Sequence, residues 1–157
     1  MVERRPRARD ERGTSLVEFA LILPVLVLFI FGIIDFGWAF SQQLSLKHAA
    51  REGVRAAVVN NGAAALTNAQ LKALIVSRSS GVDLAPADSH IYLSRTDSNG
   101  DGRADSGDLA RVEVCVPLQS LSGVSSRFLS GTLRATVEMR VEQDVTWSTD
   151  TGADPCA

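Results

Sequence analysis

Histidine, cysteine and tyrosine are scarce in this chain of 157 residues, which has two, two and one of them. The histidine shortage weighs against acid–base chemistry. His48 and His90 have no sequence reason to meet, and His48 stands four residues before Glu52, the spacing of a helix-surface pair. No G-x-S-x-G elbow, P-loop, zinc-ligand cluster or Rossmann fingerprint occurs. With no constellation to carry catalysis, the chain reads as a non-enzyme, and a membrane-tethered hydrolase lacks the residues it would need. Basic excess is missing too: 16 Lys and Arg stand against 18 Asp and Glu. The one arginine cluster has no interleaved aromatics, so nucleic acid is not the expected partner. Internal repeats and low-complexity linkers are also absent, and the length suits one modest domain plus an anchor.

What the chain does have is one long apolar run. Phe19 to Ile34 contains no charged residue. As a helix these residues span ~24 Å, and extension to Phe40 gives ~33 Å, enough to cross a bilayer once. A secretory signal would be shorter and end in small residues, whereas this run ends in Phe36-Gly-Trp-Ala-Phe40, the aromatic dressing of a membrane interface. A buried core helix is the other alternative, but apolar side chains occupy every face, and a chain this short cannot build the core to hide them. Arg4, Arg5, Arg7, Arg9 and Arg12 precede the run, against Lys47, Arg51 and Arg55 after it. The excess places the N-terminus in the cytoplasm. Residues 1–12 carry five arginines and three acids, net +2, and the remaining eleven basic and fifteen acidic residues give −4. The expected organisation is a basic cytoplasmic leader (1–13), a transmembrane helix (14–40) and an extracytoplasmic domain (41–157).

Beyond the membrane the helix is expected to continue. Leu46, Ala50, Val54, Ala57 and Val58 form an apolar stripe at helical spacing, opposite Gln43, Lys47, Arg51 and Arg55. Asn60-Asn61-Gly62 supplies a stop, for a helix of about 45 residues in which Pro24 predicts a kink or local melting. Thr67 and Gln70 have capping-box spacing, flanked by Leu66 and Leu71 as a hydrophobic staple, with Gly81 closing the second helix. Strands are expected at 90–95, 110–118 and 133–145. In the last, Leu133, Ala135, Val137, Met139 and Val141 alternate inward. The fold class is α+β: a small antiparallel sheet whose apolar face is covered by the amphipathic half of the long helix.

The loop Asp97-Ser-Asn-Gly-Asp-Gly-Arg-Ala-Asp-Ser-Gly-Asp108 is the most chemically suggestive stretch. Asp97, Asn99, Asp101, Asp105 and Asp108 fall at positions 1, 3, 5, 9 and 12 of a calcium loop. Gly102 falls at position 6, and Arg103 would offer its carbonyl at position 7. Calcium is the one cofactor suggested. Position 12 is Asp rather than Glu, Ala104 replaces a branched residue, and strands rather than helices flank the loop. The alternative is an acidic hairpin loop that needs no metal. Cys115 and Cys156, an even pair in the inferred oxidising compartment, are expected to form one disulfide, the alternative being two free thiols.

One residue in the apolar helix remains to be explained: Glu18, at its membrane edge. Gly13-Thr14-Ser15-Leu16-Val17-Glu18 places a glycine just before a cleavage point and a glutamate five residues after it. This resembles the processing site of prepilin-type proteins. With Val17-Glu-Phe-Ala20, Pro24 six residues on and Phe31-Gly-Ile-Ile-Asp-Phe-Gly37, the stretch is similar more narrowly to the TadE-like family of tight-adherence (Flp) pilus systems. The resemblance covers about 25 residues plus the following helix. It implies a minor pilin-like protein cut between Gly13 and Thr14 by a prepilin peptidase. Its other partners would be pilin-like subunits and the pilus assembly platform. Glu18 would pair with the new amine at Thr14, each charge offsetting the other's desolvation. The competing reading is an uncleaved single-pass anchor presenting an extracytoplasmic binding domain. Asp35 shares the family pattern without an evident role.

Overall fold

A computed structural model describes residues 11–87, 90–121, 123 and 131–157. The first element, α1 (Glu11–Val58), is a single helix of 48 residues. It runs through Pro24 unbroken, so the expected local melting does not occur. Proline costs the helix one N–H donor there and leaves the carbonyl of Ala20 without its helical partner. After a short 3-10 turn (Gly62–Ala64) comes α2 (Asn68–Arg78). Its start is the expected one: the Thr67 hydroxyl accepts from the Gln70 N–H, and the Gln70 side chain accepts from the Thr67 N–H. The helix ends at Arg78 with Ser79 as its cap, two residues before Gly81, which takes a positive φ of 74°.

Three antiparallel strands follow, β1 (Ile91–Thr96), β2 (Leu109–Pro117) and β3 (Thr132–Arg140), in the order β1-β2-β3. The register sets Leu93 opposite Val112 and Val112 opposite Val137. β3 stops at Arg140, five residues short of the expected Val145. The alternation through Val141 and Val145 does mark buried residues, but these belong to a chain that has left the sheet. Val141 N–H donates to the Asp108 carbonyl and Val145 N–H to that of Ala104. Met139, expected to face inward, is 42% exposed, because it lies beside Val58, where α1 and its cover end.

The second half of α1 lies across one face of the sheet, burying Leu46, Ala49, Ala50, Val54, Ala57 and Val58 against Ile91, Leu93, Val112, Val114 and Ala135. Helix α2 packs on the same stretch of α1 through Leu71 and Ile75. The two helices approach closely at Gly53, where a Cβ would stand 2.4 Å from Cγ1 of Ile75. Trp147 closes the core, its indole N–H donating to the Ala57 carbonyl at 2.8 Å. The C-terminal segment then guards the β1 edge: Asp150 N–H donates to Leu93 O, and Leu93 N–H and Arg95 N–H donate to Asp150 and Thr149 side chains. An otherwise open strand edge is thereby capped by the chain itself.

Candidate functional site

At its N-terminal end, α1 presents Gly13, Thr14 and Glu18, all exposed. Thr14 and Glu18 are four residues apart, hence on one face and ~6 Å apart along the axis. The apolar wall above them is bare: Leu16 is 71% exposed, Leu21 72% and Ile33 72%. Among the described residues α1 is the one helix long and apolar enough to cross a membrane, and none of its most apolar 18-residue window is buried. Apart from the Ala20 carbonyl opposite Pro24, the interior of a continuous helix satisfies its own backbone polar groups, which is the condition for standing in lipid.

The domain begins to cover α1 earlier than expected, inside the segment read as the span. Asp35 is only 1% exposed, and one turn further on Trp38, then Gln42 and Leu46, continue the same covered side. Phe36 and Phe40 remain outside, 65% and 75% exposed. Aromatic side chains thus flank a junction where the helix passes from bare to partly packed. Sequence periodicity missed this, since Asp35 was legible only as an isolated charge at the end of an apolar run.

The structure brings Asp97 to Asp108 together as the β1–β2 loop and fills it with its own donors. Asp97 accepts from the N–H groups of Asn99, Gly100 and Gly102, and Asn99 and Asp101 accept from those of Asp101 and Arg103. The N–H of Gly102, then that of Gly100, holds the Asp97 carboxyl below its ordinary pKa. Asp105 is pushed up, first by loss of solvent contact and then by the Asp101 carboxylate, while the Asn99 amide reaches both. At the base, Asp108 is 1% exposed and accepts from Ser98 N–H and the Arg95 guanidinium. The same guanidinium donates to the Arg103 carbonyl. Positions 7 and 12 of the calcium pattern therefore hold an arginine side chain. Among the described residues no group of three or more His, Cys, Asp or Glu converges as a metal site.

On the sheet face away from α1, Cys115 and Cys156 are disulfide-bonded, tying the C-terminus down. Beside the bridge lies a cluster the sequence did not announce. Glu113 is 2% exposed, and its Oε1 accepts from Arg111 at 2.7 Å, Arg134 at 2.9 Å and Thr136 at 2.9 Å. Burial alone would raise its pKa, but hydrogen bonds from Arg111, Thr136 and Arg134 outweigh this and hold it at about 2. Asn60, legible only as a helix stop, is equally buried. Its side chain pairs with both backbone groups of Leu66, and its carbonyl accepts from Thr146 N–H. The two histidines stay apart in role: His48 is on the exposed side of α1, and His90 Nδ1 bonds the Cys115 carbonyl at 2.9 Å.

Residues 13–55 match the family model described as TadE-like protein, a little over a quarter of the chain and nearly all of α1. That family is associated with tight-adherence pilus systems. No curated protein and no solved structure matches the chain.

Proposed function

We propose, from the TadE-like character of α1, that the chain is a minor pilin-like subunit taking part in assembly of a tight-adherence pilus. In this reading α1 is inserted with residues 1–13 in the cytoplasm and the sheet domain outside. A prepilin peptidase removes the leader between Gly13 and Thr14. The observation that carries the reading is the construction of α1: one continuous helix, bare and apolar over its first half, packed onto a small sheet over its second. Such a bare wall rests in lipid before assembly and against other apolar helices after it.

Glu18 is the residue expected to govern assembly. Cleavage would create an ammonium at Thr14, one turn below the carboxylate, and an unpaired charge at that depth is costly. Pairing within the subunit or with a neighbour offsets the cost, so a vacant carboxylate selects an incoming amine. The test is a Glu18→Ala chain expressed in its own cells. Membrane insertion should persist while co-purification with other pilus subunits falls, and Glu18→Asp should restore part of it. Normal assembly by Glu18→Ala would sink this role.

A further inference from the structure

Where α1 meets the domain, a groove of about 490 Å³ opens between the helix, the 81–85 segment and the end of β2. Trp38, Gln42, Asp83 and His90 line it, and no lysine or arginine does among the described residues. Gln119 and Ser120 line it as well, and three of its other polar groups present acceptors. Asp83 spends Oδ1 on the Ala85 N–H, and the other carboxylate oxygen accepts nothing among the described residues. The His90 Nδ1 faces a carbonyl, which only accepts, so Nδ1 carries the hydrogen and Nε2 of the neutral ring is an acceptor. Gln42 is 9% exposed, and its Oε1 is buried without a hydrogen-bond partner among the described residues. A buried carbonyl oxygen without a donor is costly unless something supplies one.

The groove's height on α1 narrows the ligand. If the hydrocarbon layer covers Leu16 to Ile34, ~28 Å of helix, Trp38 stands ~6 Å and Gln42 ~12 Å beyond it. That is the level of lipid headgroups, and exposed Phe36 and Phe40 flank it. An anionic headgroup would meet a carboxylate there and, among the described residues, no cation. A choline headgroup carries charge but no N–H. A primary ammonium carries positive charge and N–H donors for such acceptors, and Trp38 lines the same groove for a cation–π contact.

We propose that this groove binds the ammonium of an ethanolamine phospholipid and so seats the domain on the membrane surface. The inference rests on α1 lying in a bilayer. Full-length protein would be reconstituted into vesicles of phosphatidylcholine containing either phosphatidylethanolamine or phosphatidylglycerol. Flotation with both would establish insertion; failure to float would overturn the membrane reading and this proposal with it. The lipids retained after gentle detergent extraction would then be counted by mass spectrometry. Phosphatidylethanolamine should be enriched over both other lipids. Asp83→Asn, which keeps the Ala85 hydrogen bond, should lower that enrichment about tenfold, the scale of one charge-assisted hydrogen bond. Gln42→Met, which removes the orphaned oxygen, should lower it without destabilising the fold. Equal retention of all three lipids, or enrichment unchanged in Asp83→Asn, would overturn the proposal. Displacement of the lipid by soluble glycerophosphoethanolamine at equal concentration would overturn the lipid as the source.

Discussion

Replacing Glu113 with glutamine should cost the domain about 3 kcal/mol at pH 7 and much less in acid. The carboxylate is 2% exposed and falls from an ordinary 4.5 to about 2. At about 1.4 kcal/mol per tenfold in proton affinity, that fall is worth about 3 kcal/mol. Arg111 and Arg134 are themselves 41% and 42% exposed, so solvent screening makes this an upper figure. The folded value lies below the unfolded one. The contribution is therefore complete above pH 4.5 and drains away as pH falls toward 2. Glutamine keeps the shape and one acceptor oxygen but has no proton to exchange. The assay is hydrogen exchange of β2 amides in micelles with the disulfide intact, at neutral pH and near pH 3, for both chains. The gap between them should shrink by about half or more on acidification. A gap of the same size at both pH values would refute the charge argument and leave only a packing defect.

Other substitutions read different contacts. Gly53→Ala should destabilise the α1–α2 packing by ~1–3 kcal/mol, seen as a lower melting temperature, because the new methyl would meet the buried Ile75 side chain. Cys115→Ser should cost about 4 kcal/mol by the chain-entropy relation for a 41-residue separation, measured as the urea midpoint against the oxidised protein. The Arg95 guanidinium already bridges Asp108 and the Arg103 carbonyl. Calcium at about 1 mM, where weak extracellular sites fill, should therefore leave the melting temperature unchanged. A calcium-dependent rise would show that the ion displaces the arginine.

Elements governed by local pattern were readable from the chain. The capping box at Thr67 and Gln70 satisfies donors within one turn, so its spacing alone identifies it. The α1 stripe of Leu46, Ala50, Val54, Ala57 and Val58 repeats at the helical period and is buried throughout. What could not be read depends on partners distant in sequence. Glu113 alternates outward with Arg111 and Cys115, but the pattern does not show that Arg134 and Thr136 from the next strand converge on its carboxylate. Gly53 belongs to no sequence pattern, and its reason is the Ile75 side chain packed against it from α2. The overrun of β3 has the same origin, since Val141 and Val145 keep the strand alternation while bonding to the β1–β2 loop. In the candidate site, Gly13, Thr14 and Glu18 were visible as a motif, whereas the groove at Gln42, Asp83 and His90 joins three separate segments.

The most direct test of the pilin-like account is the intact mass and N-terminal sequence of the protein purified from its own membranes. The account predicts a chain beginning at Thr14, with the leader retained in Gly13→Ala or in cells lacking the peptidase. A chain beginning at Met1 or Val2 in unmodified cells would contradict it and leave an uncleaved membrane anchor.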